Sequence, residues 1–194
     1  MINYSKGRVE KADVALLRNV RTGIVQTTGD MTLAMAGELG VDTVEVSAHA
    51  GARNKGTGPM NHAEWQGKVY SISGRHEKYP PLIETTGYGT ATGLSGINCR
   101  HSMYLYFEEV STPEYTQVEL NRINNTKVTC DGQQMDLYEA TQKQRYIERQ
   151  IRDWKRKAGA LNAGGLDNTE ERLKVGQWQA KARDFTKQTG LVRR

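Results

Sequence analysis

HAGARNKGTGPMNHAEWQGKVYSISG (49–74) and TTGYGTATGLSGINCRHSMYLYF (85–107) set the character of the chain. Together with the Pro-rich connector ending Tyr79-Pro80-Pro81, they hold all four histidines (His49, His62, His76 and His101), Cys99 and a dense set of glycines. Short alternating runs here read as strands and the glycines between them as irregular loops. Val41 to Ala48 alternates and is β-branched, which predicts a strand with one buried face delivering His49 at its end. Lys68 to Ser73 reads as a second strand and Cys99 to Phe107 as a third. Asn61 to Glu64 predicts a short helical turn capped by Asn61, and Leu82 to Thr86 a short helix starting after the prolines.

Helices flank this region. Residues 9–39 place Val14, Leu17, Val20, Ile24, Thr28, Met31, Met35 and Leu39 at three- and four-residue steps, an apolar face expected to pack on the core. Gly40 is suited to end that helix. In residues 108–135, Asp131-Gly132 signals a hairpin turn. Beyond it Asp136-x-x-Glu139 and Asp167-x-x-Glu170 read as capping boxes. Ala140, Ile147, Ile151, Trp154, Ala158 and Leu161 form one seam, with Val175, Trp178, Ala182 and Phe185 forming another, and Gly164-Gly165 lies between them. The fold class is therefore α+β: an N-terminal helix, a small mixed or antiparallel sheet with long Gly-rich loops, and a C-terminal basic helical hairpin. The boundaries expected are 1–135 for the α+β core and 136–194 for the hairpin.

The chain has 194 residues, 37% hydrophobic and 25% charged, a globular composition with no apolar run long enough to span a membrane. Its opening residues are too polar for a signal peptide, so cytoplasmic synthesis is expected. Cys99 and Cys130 read as free thiols. The net charge of +5 is unevenly placed. Residues 136–194 hold fourteen Lys and Arg against eight Asp and Glu, whereas residues 1–135 are near balance. Arg145, Arg149, Arg152, Lys155 and Arg156 fall mostly off the seam and are the candidate nucleic-acid contacts. The two seams also raise self-association as a reading.

Chemistry is harder to place. Gly87-Tyr88-Gly89-Thr90-Ala91-Thr92-Gly93 lacks the strand before and helix after that a phosphate loop needs, so it reads as a tight turn. Cys99 and His101, with His62 or His49 from elsewhere, fall short of the local ligand pairs typical of zinc, and no metal or other cofactor is expected. If the chain were an enzyme, a nuclease or a nucleotide-modifying transferase, then His62, His101, Arg53, Arg100 and Cys99 would carry it. The bland alternative is a polar cluster that pins loops, with Trp65 packing and Gln66 and Asn98 bonding backbone.

Several strings are family-specific. Ser47-x-His49-x-Gly51-Ala52-Arg53, His62-Ala63-x-Trp65-Gln66-Gly67-Lys68-x-Tyr70-Ser71, Gly87-Tyr88-Gly89-Thr90 and Asn98-Cys99-Arg100-His101 resemble the minor capsid protein 2 family of tailed phages and prophages. That family is akin to the Mu F-like head-morphogenesis proteins. Residues 138–145 and Phe185-x-x-x-Thr189-Gly190-Leu191 fit the same resemblance, which spans nearly the whole chain. It implies a virion structural protein, inside the head and associated with the portal or other capsid proteins, aiding head assembly and DNA packaging or ejection. It makes His49, Arg53, His62, Trp65, Gln66, Gly67, Gly87, Gly89, Asn98, Cys99, Arg100 and His101 a structural signature. Two departures stand out. Family members often carry a cysteine where this chain has Ser95, which argues further against metal. They are also commonly longer, so this chain is expected to correspond to the C-terminal domain.

Overall fold

The computed structural model describes residues 1–192 apart from Lys6 and Arg8. It divides into two compact units, Met1–Asn124 and the remainder from Asn125. The hairpin at Asp131-Gly132, assigned above to the first region, is built into the second unit with the C-terminal helices.

In the first unit, β1 (Ile2–Asn3) pairs with β2 (Val9–Glu10), and α1 runs from Ala12 to Leu39. The helix thus begins three residues later than its apolar pattern, because Val9 and Glu10 are held in the β1–β2 ladder. Gly40 ends it at φ 66, its N–H bonding the carbonyls of Ala36 and Gly37, a left-handed cap that glycine adopts without strain. A three-stranded antiparallel sheet follows, ordered β4 (Val69–Ser71), β3 (Thr43–Val46), β5 (Met103–Leu105). Val44 lies opposite Tyr70 on one side and Leu105 on the other. Two short helices, α2 (His62–Trp65) and α3 (Leu82–Thr86), lie in the connections. The core gathers Val44, Val46, Trp65, Tyr70, Leu82, Leu94 and Met103.

Four expectations need correction here. All four residues of β3 are buried, not one face only; as the central strand it is covered on both sides, and Glu45 accepts a hydrogen bond from the Glu114 backbone N–H at 2.8 Å. The third strand is confined to Met103–Leu105 because Cys99 to His101 turns away from extended pairing, with Asn98 at φ 60. Asn61 does not cap α2 with its side chain, which donates instead to Glu64 Oε1 at 2.7 Å.

The fourth concerns α1. Its Leu/Met stripe faces solvent: Leu17 is 54% exposed and Met31 64%, and Val14, Val20, Ile24, Met35 and Leu39 are likewise exposed. The helix packs through its opposite, small-residue side, where Ala15, Gly29 and Ala36 are buried. A Cβ on Gly29 would stand 2.7 Å from the Tyr88 hydroxyl and 3.1 Å from the Met103 methyl. Close approach of helix to sheet therefore selects small residues at Gly29 and Ala36, while Leu33 between them packs against the core.

The Gly-rich turn is also a close backbone crossing. A Cβ on Gly93 would lie 2.2 Å from the Gly87 carbonyl oxygen, and Gly87 itself has φ 64. A further helix, α4 (Gln117–Asn125), closes the unit. It was not anticipated, although Thr116-x-x-Glu119 spells its capping box: Thr116 N–H donates to Glu119 Oε2 at 2.8 Å and Glu119 N–H to Thr116 Oγ1 at 3.3 Å.

The second unit comprises β6 (Lys127–Cys130), β7 (Gln133–Asp136), α5 (Leu137–Ala163) and α6 (Thr169–Thr189). Asp131 at φ 51 and Gly132 at φ 73 make the tight turn, as Asp-Gly turns do. Asp136 accepts the Glu139 N–H at 2.7 Å, capping α5. At α6 the N-cap is Asn168 rather than Asp167, whose carboxylate instead accepts from Thr169. The seams of α5 and α6 face one another: Ile147, Ala182 and Phe185 are buried together, with Ile151 and Trp178 alongside. Self-association through those seams consequently loses the surface on which it rested.

The exposure of α1's stripe has a direct test. Leu17→Ala and Met31→Ala should each change the urea-unfolding free energy by less than about 0.5 kcal/mol. Were the stripe core, each would cost about 2–5 kcal/mol.

Candidate functional site

The Gly-rich loops and strand ends of the first unit bring three of the four histidines together. His101 lies just before β5, His62 opens α2, and His49 follows β3. The His101 ring stacks on His49 at 4.5 Å between centroids, meets His62 edge-on at 5.3 Å, and tilts against Trp65 at 4.8 Å. His62 is 3% exposed and His101 1%. Cys99 is half-buried with its thiol turned inward, Sγ standing 3.5 Å from His101 Nδ1. His76 lies elsewhere, its ring 3.2 Å from Glu108 Oε2.

Gln66 fixes the chemistry of this cluster. Its Oε1 accepts the His49 backbone N–H at 3.0 Å, and its Nε2 donates to Asn124 Oδ1 at 2.6 Å. Those two bonds orient the amide. The third partner, His101 Nε2 at 2.9 Å from the same oxygen, must therefore carry its hydrogen and donate. His62 Nε2 likewise donates to the Thr92 carbonyl at 2.8 Å. A neutral imidazole with hydrogen on Nε2 has its lone pair on Nδ1. Burial keeps both rings neutral: it depresses the His101 pKa to about 2, helped by repulsion from His49 and His62, and lowers that of His62. Burial also raises the Cys99 thiol, opposed by backbone N–H groups of His101, Ser95 and Gly96 and by the Arg53 charge.

The remaining signature residues serve the same neighbourhood. Arg53 donates to the carbonyls of Thr92 at 3.1 Å and Ile97 at 3.3 Å, tying down the turn that also receives His62. Trp65 is buried, its indole N–H reaching the Pro59 carbonyl at 3.2 Å. Gly67 has φ 67, and a Cβ there would strike Leu120 of α4 at 2.4 Å. Gly87 leaves room for Pro59, at 2.7 Å from its notional Cβ, while Gly89 at φ 84 needs only conformational freedom. Asn98 and Arg100 are exposed.

Among the described residues, then, His62 and His101 are buried, and they and the partly exposed Arg53 direct N–H groups into hydrogen bonds with the fold. They do not line an open cleft. The groove found in the second unit is bordered by Gln144, Ile147, Ile151, Ala182 and Phe185. Its rim includes Arg152 and Lys155. Arg145, Arg149, Arg152 and Arg156 recur along one side of α5 at 3.6 residues per turn, and all but half-buried Arg145 are exposed, as is Lys155. Gln66 and Asn124, the latter also donating to the Ala63 carbonyl at 3.0 Å, have a larger part in the cluster than composition suggests. Asn124 gave no signal in the sequence.

An α+β unit built around a buried His/Gln/Trp cluster, followed by a hairpin and two long helices, is thus the class of protein defined here. The chain belongs to the phage minor capsid protein 2 family, whose model matches residues 1–187. It is similar to a "Structural protein" of Lactococcus phage mv4, at 33% identity over 119 residues, covering 60% of this chain and 87% of that protein. It is also similar to a "Structural protein" of Lactococcus phage LL-H, at 27% identity over 182 residues. That match takes in 90% of this chain but 44% of the LL-H protein, so the chain spans under half that relative's length. No solved structure matches.

Gln66→Ala strips the His49 N–H, His101 Nε2 and Asn124 of a partner at once. It should lower stability by about 2–4 kcal/mol, read by urea unfolding. Gln117→Ala, at an exposed position whose amide bonds only Asn121, should cost less than about 0.5 kcal/mol.

Proposed function

We propose that the chain is a minor structural component of the phage virion, seated inside the head near the portal, where it aids assembly and DNA packaging or ejection. Family membership carries this reading. The two Lactococcus phage relatives named structural proteins support the virion assignment. Two surfaces suit such a place. The exposed apolar stripe of α1 provides about 40 Å of helix for contact with another head protein, at 1.5 Å per residue. The row formed by Arg145, Arg149, Arg152 and Arg156, with Lys155 beside it, provides positive charge for packaged DNA. Arg156 is partly engaged by Asp153, at 3.9 Å.

The enzyme alternative is weaker on physical grounds. A general base or nucleophile must reach its substrate, and the residues that would serve are enclosed and already hydrogen-bonded. The exposed Arg100 alone supplies no acid–base pair.

Two measurements test the proposal. Cross-linking mass spectrometry on intact virions should join α1 to the portal protein; cross-links solely to the outer capsid surface or the tail would overturn the placement. Fluorescence anisotropy should detect double-stranded DNA binding at about 50 mM salt, weakening steeply toward about 200 mM. Arg149→Glu with Arg152→Glu should reduce the log–log salt slope by about 2. Absence of binding even at the lower salt would remove the DNA role.

A further inference from the structure

We propose that His62, Cys99 and His101 form a structural zinc site. Their ligand-capable atoms lie within 4.8 Å of one another. The inference concerns the buried cluster alone and does not depend on where in the virion the protein sits.

Distance is the first argument. In a tetrahedral site with Zn–S of about 2.3 Å and Zn–N of about 2.0–2.1 Å, a sulfur and a nitrogen ligand stand about 3.5 Å apart. Cys99 Sγ and His101 Nδ1 are separated by 3.5 Å. One edge of the tetrahedron is therefore already set. The ligand atom of His62 lies within 4.8 Å of the other two, so bringing it to the same spacing needs a closure of up to about 1.3 Å.

Orientation is the second. Metal-bound histidines almost always donate their other ring N–H to a carbonyl or carboxylate, which fixes the tautomer. Both rings do this here. His101 Nε2 donates to Gln66 Oε1, and Gln66 is itself held by His49 and Asn124. His62 Nε2 donates to the Thr92 carbonyl, which Arg53 also grips. Each ring is left with Nδ1 as its lone-pair nitrogen. This arrangement resembles the outer shell of a metal site more than a chance meeting of two histidines.

The sulfur environment is the third. Backbone N–H groups of His101, Ser95 and Gly96 are directed at Cys99 Sγ. They come from a turn with Ser95 at φ 59 and Asn98 at φ 60, conformations that cost a non-glycine residue energy and persist where surrounding structure imposes them. Burial holds the Cys99 thiol protonated without metal, so the ligating thiolate forms as the ion displaces its proton.

The donor set selects the ion. Two imidazoles and a thiolate, with no carboxylate among them, exclude the oxygen-preferring Mg²⁺ and Ca²⁺ and suit Zn²⁺. The fourth position falls to water. With the rings of His62 and His101 almost fully enclosed, such an ion ties the helical turn at His62 to the segment holding Cys99 and His101 and supplies no catalysis. Linear spacing hides the set, since no two ligands form the C-x-x-C or H-x₃-H pairs by which zinc sites are usually read.

The test uses the full chain, reduced and freed of metal by chelator, then titrated with Zn²⁺ or Co²⁺. About one equivalent of Zn²⁺ should remain per chain after dialysis, and Co²⁺ should give a thiolate-to-cobalt charge-transfer band in the near ultraviolet. Cys99→Ser and His101→Gln should each weaken Zn²⁺ affinity beyond the roughly 10–100-fold that losing an outer-shell partner costs. Cys130→Ser should leave it unchanged. Should a ligand variant fail to fold, the Co²⁺ spectrum of the unaltered chain decides alone. A spectrum without the thiolate band, or Zn²⁺ retained equally by Cys99→Ser, would overturn the site and leave an S–H···Nδ1 hydrogen bond as the link between Cys99 and His101.

Discussion

The side-chain amide of Gln66 makes three hydrogen bonds at once, to the His49 backbone, the His101 ring and Asn124. Each joins a different segment: the end of β3, the approach to β5, and α4. A buried amide held by three hydrogen bonds is rigid, because any rotation leaves polar groups unpaired at about 1–3 kcal/mol each. The strand ends, the helical turn at His62 and the closing helix are thereby placed relative to one another. Around that point Trp65 packs, Arg53 ties down the glycine turn, and Gly67 lets α4 approach. The signature strings are dispersed in sequence because one constraint needs contributions from several segments.

That arrangement accounts for why a histidine-rich centre is not an open active site. Enclosure lowers the pKa of both inner rings and raises that of the thiol. Polar atoms that would meet a substrate meet carbonyls instead. What the geometry does favour is a ligand small enough to enter a closed site, and a cation with nitrogen and sulfur preferences is such a ligand. The surfaces left for partners lie outside the cluster, on α1 and α5.

Much of the fold is legible in the residues. The capping box at Asp136, the Asp-Gly hairpin, the left-handed Gly40 and the start of α3 after two prolines are local signals, and local physics suffices for them. Two readings failed where tertiary context decides. The apolar stripe of α1 has helical period, but period alone does not say which side faces the sheet, and small Gly29 and Ala36 prevail because they permit closer contact. The strand expected from Cys99 is shortened because Cys99 and His101 turn into the cluster. For the site, residue types at 49, 62, 66, 99 and 101 were visible, yet their convergence was not. Asn124 carried no mark, and α4 was overlooked although Thr116-x-x-Glu119 announces it.

The most direct test of the account is the protonation of the two inner rings, read by long-range proton–nitrogen NMR of His62 and His101. The account requires both to be neutral at about pH 7, with hydrogen on Nε2, and His101 to stay so down to about pH 5, across the range where a free histidine titrates. A His101 ring that titrates near the ordinary histidine value, or either ring carrying hydrogen on Nδ1, would contradict it.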